Sequence, residues 1–178
     1  MDYKTILLKQ NRCLFHTSDL ALLWNISNKN TLYTTIKRYT QKGILNRIHK
    51  GFYATKPISQ IDPIVLALSY IHTYAYVSTE YVLSKSGIIN QYTPTITLVS
   101  SKPNKFSLAN RNFIVRSMKP EFLYNDAGIQ TEAKGYKIAT PERAVCDMLY
   151  YNKNAYFDNP TRFDNNLVFQ IRKEVGFV

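Results

Sequence analysis

Two glycines, Gly43 and Gly51, punctuate the first third of this chain and limit what that third can become. Gly43 directly follows a run from Lys29 to Lys42 in which Leu32, Ile36 and Tyr39 fall at i, i+4 and i+7, one apolar face of a helix. A glycine in that place reads as a C′ residue in the left-handed conformation. Gly51 closes the turn His49-Lys50-Gly51 between two short runs, Ile44 to Ile48 and Phe52 to Thr55, which read as a β-hairpin. Upstream, Asp2 to Arg12 can form a short helix. A second helix, with Thr17 or Ser18 as N-cap and Asp19 in its first turn, runs through Trp24 to about Asn25. Three short helices and then a hairpin is the order of a winged helix-turn-helix. Pro57 with Ser59-Gln60 marks the exit from it, so the sequence predicts a first domain over residues 1–59 and a second over 60–178.

Charge follows the same division. Residues 1–60 hold ten Lys+Arg against two acids, a net +8, whereas the rest holds thirteen against ten, a net +3. An excess of cations concentrated in one module points to a polyanionic partner, nucleic acid or an anionic membrane surface, or else to a lysine-rich solvated face. The longest apolar stretch, Ile64 to Ile71, is far short of the ~20 residues needed to span a bilayer. Met1-Asp2-Tyr3-Lys4 lacks the basic start and apolar run of a secretory signal, and Cys13 and Cys146 are too few for a disulfide framework. The expectation is a soluble, cytoplasmic, basic protein with no membrane partner.

The remainder of the chain predicts an α+β domain around a small, mostly antiparallel sheet. Asp62 can cap a helix through Ile71 with Pro63 at its first position, and Ser78 can cap Thr79 to Ser86, closed by Gly87. Thr95 to Ser100 and Asn112 to Met118 read as strands, and Gly128 to Ala133 with Tyr136 to Ala139 read as a hairpin across Lys134-Gly135. Thr140-Pro141-Glu142 starts a helix ending near Tyr151, and Asp164 to Lys173 is the last one.

The face of the third helix opposite its apolar side carries Asn30, Tyr33, Thr34, Lys37, Arg38 and Gln41, with Lys29 at its start. These groups donate hydrogen bonds to base edges and phosphates. A solvated helix ordinarily mixes glutamate with lysine for i,i+4 pairing. This one has no acid at all. Arg47, His49 and Lys50 place further positive charge at the tip of the hairpin, where a wing meets the DNA backbone or minor groove. A helical module that binds no DNA remains the alternative.

Several segments together resemble a known family. Phe15-His16-Thr17-Ser18-Asp19-Leu20-Ala21, Lys42-Gly43-Ile44-Leu45 and Gly51-Phe52-Tyr53-Ala54 are similar to the N-terminal winged helix of AbiEi-type antitoxins. Val77-Ser78-Thr79-Glu80-Tyr81-Val82-Leu83, ending at Gly87, resembles the family's S-x-E-x-x-L…G segment, with Val82 where alanine is usual. Ala139-Thr140-Pro141-Glu142-Arg143-Ala144-Val145-Cys146-Asp147 resembles its T/S-P-E-R-A-x-x-D signature, so the likeness spans residues 15–150. The resemblance implies a bacterial type IV toxin–antitoxin component from an abortive-infection locus, and no cofactor is expected. In that picture the winged helix represses its own promoter on double-stranded DNA with inverted repeats, and the C-terminal domain counters a nucleotidyltransferase toxin.

Catalytic constellations are not legible in the sequence. His16, His49 and His72 lack paired-ligand spacing for a metal, and no nucleophile elbow or phosphate-cradling loop is present. Asp126 with Glu132-Ala133-Lys134 superficially resembles the acidic-x-Lys core of metal-dependent nucleases, although Lys134-Gly135 reads better as a turn. Cys146 reads as a buried thiol. Glu142 suits a first helical turn, and Arg143 and Asp147 suit an i,i+4 pair; an exposed Arg143 could instead join an antitoxic surface. The tyrosines Tyr70, Tyr74, Tyr76, Tyr81, Tyr150 and Tyr151 suit either a binding surface or amphipathic packing. The rival readings are a protein- or RNA-binding module that docks through its winged helix, and a nuclease.

Overall fold

The computed structural model describes residues 2–177. Among them are eight α-helices and two sheets, an α+β fold, and the chain divides into two compact units, Met1–Tyr70 and Ile71–Val178. No helix of the described residues is long and apolar enough to cross a membrane.

The first unit runs α1 (Tyr3–Leu8), β1 (Leu14–His16), α2 (Thr17–Trp24), α3 (Lys29–Gln41), β2 (Asn46–His49), β3 (Phe52–Ala54) and α4 (Pro63–Ile71). Its sheet is antiparallel in the order β1-β3-β2. Leu7, Phe15, Leu20, Trp24, Leu32, Ile36, Tyr39, Leu45 and Tyr53 are buried together as its core. Trp24 stacks between Tyr3 and Tyr39, with centroids at 5.6 and 5.5 Å, and donates from Nε1 to the Tyr3 carbonyl at 3.2 Å. This packing fixes α1 and α3 against α2.

Helix α3 starts where a cap is available. Asn28 Oδ1 accepts the backbone N–H groups of Asn30 (2.9 Å) and Thr31 (3.1 Å), which otherwise have no partner in a first turn. It stops at Gly43, whose φ of +69° is the left-handed geometry anticipated for it. Asn28→Ala is therefore expected to cost about 1 kcal/mol. Thermal unfolding followed by Trp24 fluorescence checks this.

The cap of α2 differs from expectation. Its N-cap is His16, not Thr17 or Ser18, because Asp19 in the first turn accepts the His16 N–H at 2.8 Å. The Thr17 N–H is taken by the Gly51 carbonyl at 2.9 Å, which ties this helix to the hairpin turn. The division between units also falls later than Ser59. Helix α4 accounts for this: Ser69 O lies 2.8 Å from His16 Nε2, and the Tyr70 ring meets Phe52 and His49 edge-on at 5.7 and 5.4 Å.

The second unit runs β4 (Ala75–Val77), α5 (Glu80–Lys85), β5 (Ile96–Ser100), β6 (Asn104–Leu108), β7 (Arg111–Ser117), α6 (Pro120–Leu123), β8 (Ile129–Thr131), β9 (Lys137–Ala139), α7 (Pro141–Tyr151) and α8 (Asn165–Val175). Its six strands lie in the order β6-β7-β5-β4-β9-β8. Three of its five pairs are antiparallel, but β5 pairs parallel with β7 and β4 pairs parallel with β9, so the sheet is mixed. The direction of a pair depends on which strand crosses over to which, and β4 and β6 carry too little alternation to be read locally. Helix α7 packs on α5, α8 and β9, burying Ala144, Val145 and Cys146.

Candidate nucleic-acid interface

All ten residues expected to face nucleic acid lie at the surface: Lys29, Asn30, Tyr33, Thr34, Lys37, Arg38 and Gln41 on α3, and Arg47, His49 and Lys50 on the hairpin. The buried residues Leu32, Thr35, Ile36 and Tyr39 turn the other side of α3 inward. The exposed side therefore presents hydroxyl, amide and cationic groups without a carboxylate, and Arg38 lies over the Tyr39 ring at 5.5 Å.

The hairpin distributes its cations differently from the sequence reading. Arg47 is not at the tip. It pairs with Tyr53 inside β2, and the register shifts between Arg47 and His49, a bulge that places Ile48 in excess. His49 ends the strand with its ring against Tyr70, which leaves Lys50 and Gly51 as the turn itself. Gly51 has φ +79°, and a Cβ there would lie 3.4 Å from Thr17 Oγ1, so the turn depends on glycine for its conformation.

Moving Arg47 off the tip creates a feature that the sequence did not announce. A cleft of about 340 Å³ opens between the flank of α3 and the hairpin. Helix α3 contributes Tyr33, Ile36, Lys37, Thr40 and Gln41, and the strands contribute Arg47 and Tyr53. Ile36 and Tyr53 are buried beneath it, while the Tyr33 ring is 56% exposed. Lys37 and Arg47, distant in sequence, thus line one concave, acid-free surface. Thr40 and Tyr53 had no signal as site residues, because their role depends on where the hairpin packs.

The motif residues of the second unit are structural. Arg143 and Asp147 are both 0% exposed, which corrects the expectation that Arg143 could be a surface group. Arg143 Nε donates to Asp147 Oδ1 at 2.8 Å, and its Nη atoms donate to the carbonyls of Asn125 (2.9 Å), Ala127 (2.8 Å) and Phe122 (3.3 Å) and to the Tyr76 hydroxyl (2.9 Å). Asp147 Oδ2 accepts from Ser78 Oγ at 2.6 Å and from the Tyr76 hydroxyl at 3.1 Å. Burial pushes the Asp147 carboxyl up and the Tyr76 phenol up. Ser78 therefore does not cap α5. The N-cap is Thr79, in a backbone conformation of φ 54° and ψ −134°.

Glu80 pairs with Arg116, Leu83 is fully buried, and Gly87 sits with φ +68° where a Cβ would meet the Arg162 guanidinium at 3.1 Å. Thr140 Oγ1 accepts the Arg143 N–H at 3.2 Å as N-cap of α7, Pro141 takes the first position, and Glu142 lies in the first turn. The Cys146 thiol is buried, donates to the Val168 carbonyl at 3.4 Å, and is pushed up to about 12 by burial, so at neutral pH it stays protonated. Tyr76 is buried as well, so the tyrosines of this half do not share one surface.

Glu132 and Lys134 lie in the exposed turn between β8 and β9, not on a strand. Asp126 instead accepts from Lys137 Nζ at 2.6 Å and from the Tyr74 hydroxyl at 3.2 Å, and the Lys137 hydrogen bond holds its carboxyl below the usual range. Among the described residues no group of three or more His, Cys, Asp or Glu side chains is placed to hold a metal ion. No protein-family model matches the chain, and no curated protein is significantly similar to it.

Proposed function

We propose that this chain is a double-stranded-DNA-binding repressor of its own promoter, built on a winged helix, and the antitoxin of a bacterial type IV toxin–antitoxin pair. In this reading α3 is the recognition helix, the β2–β3 hairpin is the wing, and the second unit counters a nucleotidyltransferase toxin. The observation that carries the DNA reading is the exposed, acid-free face of α3 standing beside a hairpin whose Arg47 shares a cleft with Lys37. The antitoxin reading rests on the S-x-E-x-x-L…G and T-P-E-R-A-x-x-D resemblances. The internal packing of those residues makes them the framework of that unit rather than its contact surface.

A mobility-shift series on the DNA upstream of the gene tests the first part. Lys50→Ala should weaken binding nearly equally on operator and scrambled duplexes, because a contact to phosphate positions without reading sequence. Asn30→Ala should change which duplexes are preferred, by about 1–3 kcal/mol per good base contact. Absence of any duplex binding by the folded wild-type chain would leave a protein- or RNA-docking module in its place. Rescue of growth when the chain is co-expressed with a nucleotidyltransferase encoded beside it tests the antitoxin part.

A further inference from the structure

The cleft between α3 and the hairpin has a chemistry unlike the rest of the face around it. Its floor is Ile36 and the Tyr53 ring, and one wall is the exposed Tyr33 ring. Thr40 donates its hydroxyl proton to the Ile36 carbonyl at 2.9 Å, and its methyl is the apolar group it offers. Lys37, Gln41 and Arg47 complete the lining, and no acid does. A surface of this kind suits an apolar group carried on a polyanion.

We infer that this cleft reads thymine, taking up the C5-methyl group of one thymine in each bound site while Lys37 and Arg47 meet the neighbouring phosphates. The inference rests on the DNA-binding reading above. Among the major-groove groups, the thymine methyl is the one recognised by apolar contact with side chains such as phenylalanine or the threonine methyl. The carboxylate that would accept from the cytosine N4 amino group is absent from α3 and from the cleft alike.

The test uses the full-length chain and duplexes it selects from a random pool. Each thymine is replaced in turn by deoxyuridine, which removes the C5-methyl group and leaves every hydrogen-bonding edge in place. At one position per bound site the wild-type protein should lose about fourfold in affinity, the value of one buried methyl group. Tyr33→Ala should weaken the thymine duplex and abolish the uracil penalty, Tyr33→Phe should keep both, and Thr40→Ser, which retains the hydroxyl bond, should shrink the penalty. Tyr33 is exposed, so its variants leave the core intact. Equal binding of thymine and uracil duplexes at every position overturns the inference, as does a penalty that persists unchanged in Tyr33→Ala. Failure of the folded wild-type chain to select any duplex overturns the DNA-binding reading itself.

Discussion

Arg143→Ala is expected to cost the second unit about 3–5 kcal/mol, the range for breaking a buried ion pair by removing one partner. The guanidinium is wholly buried and donates to Asp147, to Tyr76 and to three carbonyls of the segment holding α6 and the turn after it. Truncation removes the Arg143 donor from the Asn125 and Ala127 carbonyls, leaves Phe122 O with only the Asn125 N–H at 3.3 Å, and leaves Asp147 without its counter-charge. Burial already raises the Asp147 carboxyl in the intact protein, and loss of Arg143 raises it further. The sign of the pH dependence follows. A carboxyl whose folded value lies above its unfolded value of about 3.9 contributes fully below that value, and the contribution is lost as pH rises through the folded value. Both proteins lose this contribution together above about pH 3.9, so the variant's deficit should grow only once pH passes the intact protein's raised Asp147 value, above which the variant alone keeps losing stability. Denaturation followed by far-UV circular dichroism measures it, while Trp24, the only tryptophan, reports on the first unit. Arg143→Met combined with Asp147→Leu should recover only the part of the loss due to the unpaired buried charge, since it still leaves the carbonyls and the Ser78 and Tyr76 hydroxyls without these partners. A deficit under about 1 kcal/mol with no pH slope would mean that the network does not hold this unit together.

Removing the two cations of the cleft together gives the largest expected effect on binding. For each phosphate that the protein no longer neutralises, the slope of log K against log salt falls in magnitude by about 0.9. Lys37→Ala with Arg47→Ala should flatten that slope by about 1.8 and lower affinity at 0.1 M salt by about 60-fold. Both side chains are exposed, and neither belongs to the buried core cluster, so thermal stability should stay within about 0.5 kcal/mol. A titration at several salt concentrations decides the matter. An unchanged slope would remove Lys37 and Arg47 from the phosphate-contacting set and leave the cleft without an electrostatic role.

Much of the first unit was legible in its sequence because its signals are local. The Leu32, Ile36, Tyr39 spacing marks α3, and Gly43 and Gly51 mark its end and the hairpin turn. What could not be read was anything set by pairing at a distance. Strand β1 is three residues long and exists because Phe15 faces Tyr53. The bulge after Arg47 shifts that residue off the tip, and no single-strand pattern announces a bulge. In the second unit, Ser78 looked like a cap because serine before a helix usually is one, yet its hydroxyl is drawn to Asp147, sixty-nine residues on. The i,i+4 spacing of Arg143 and Asp147 was readable; their burial was not, because it depends on Tyr76 and the carbonyls at 122, 125 and 127 closing around them.

That closure also sets an order of events while the chain is being made. The first unit finds its partners within residues 2–70, whereas the cradle around Arg143 joins β4 to α7 and cannot close until Asp147 has left the ribosome. At about 5–20 residues per second, the interval is roughly 4–15 s. For that time a nascent chain carries a finished α3 and hairpin ahead of an open second unit, so the half proposed to meet the promoter matures before the half proposed to meet the toxin.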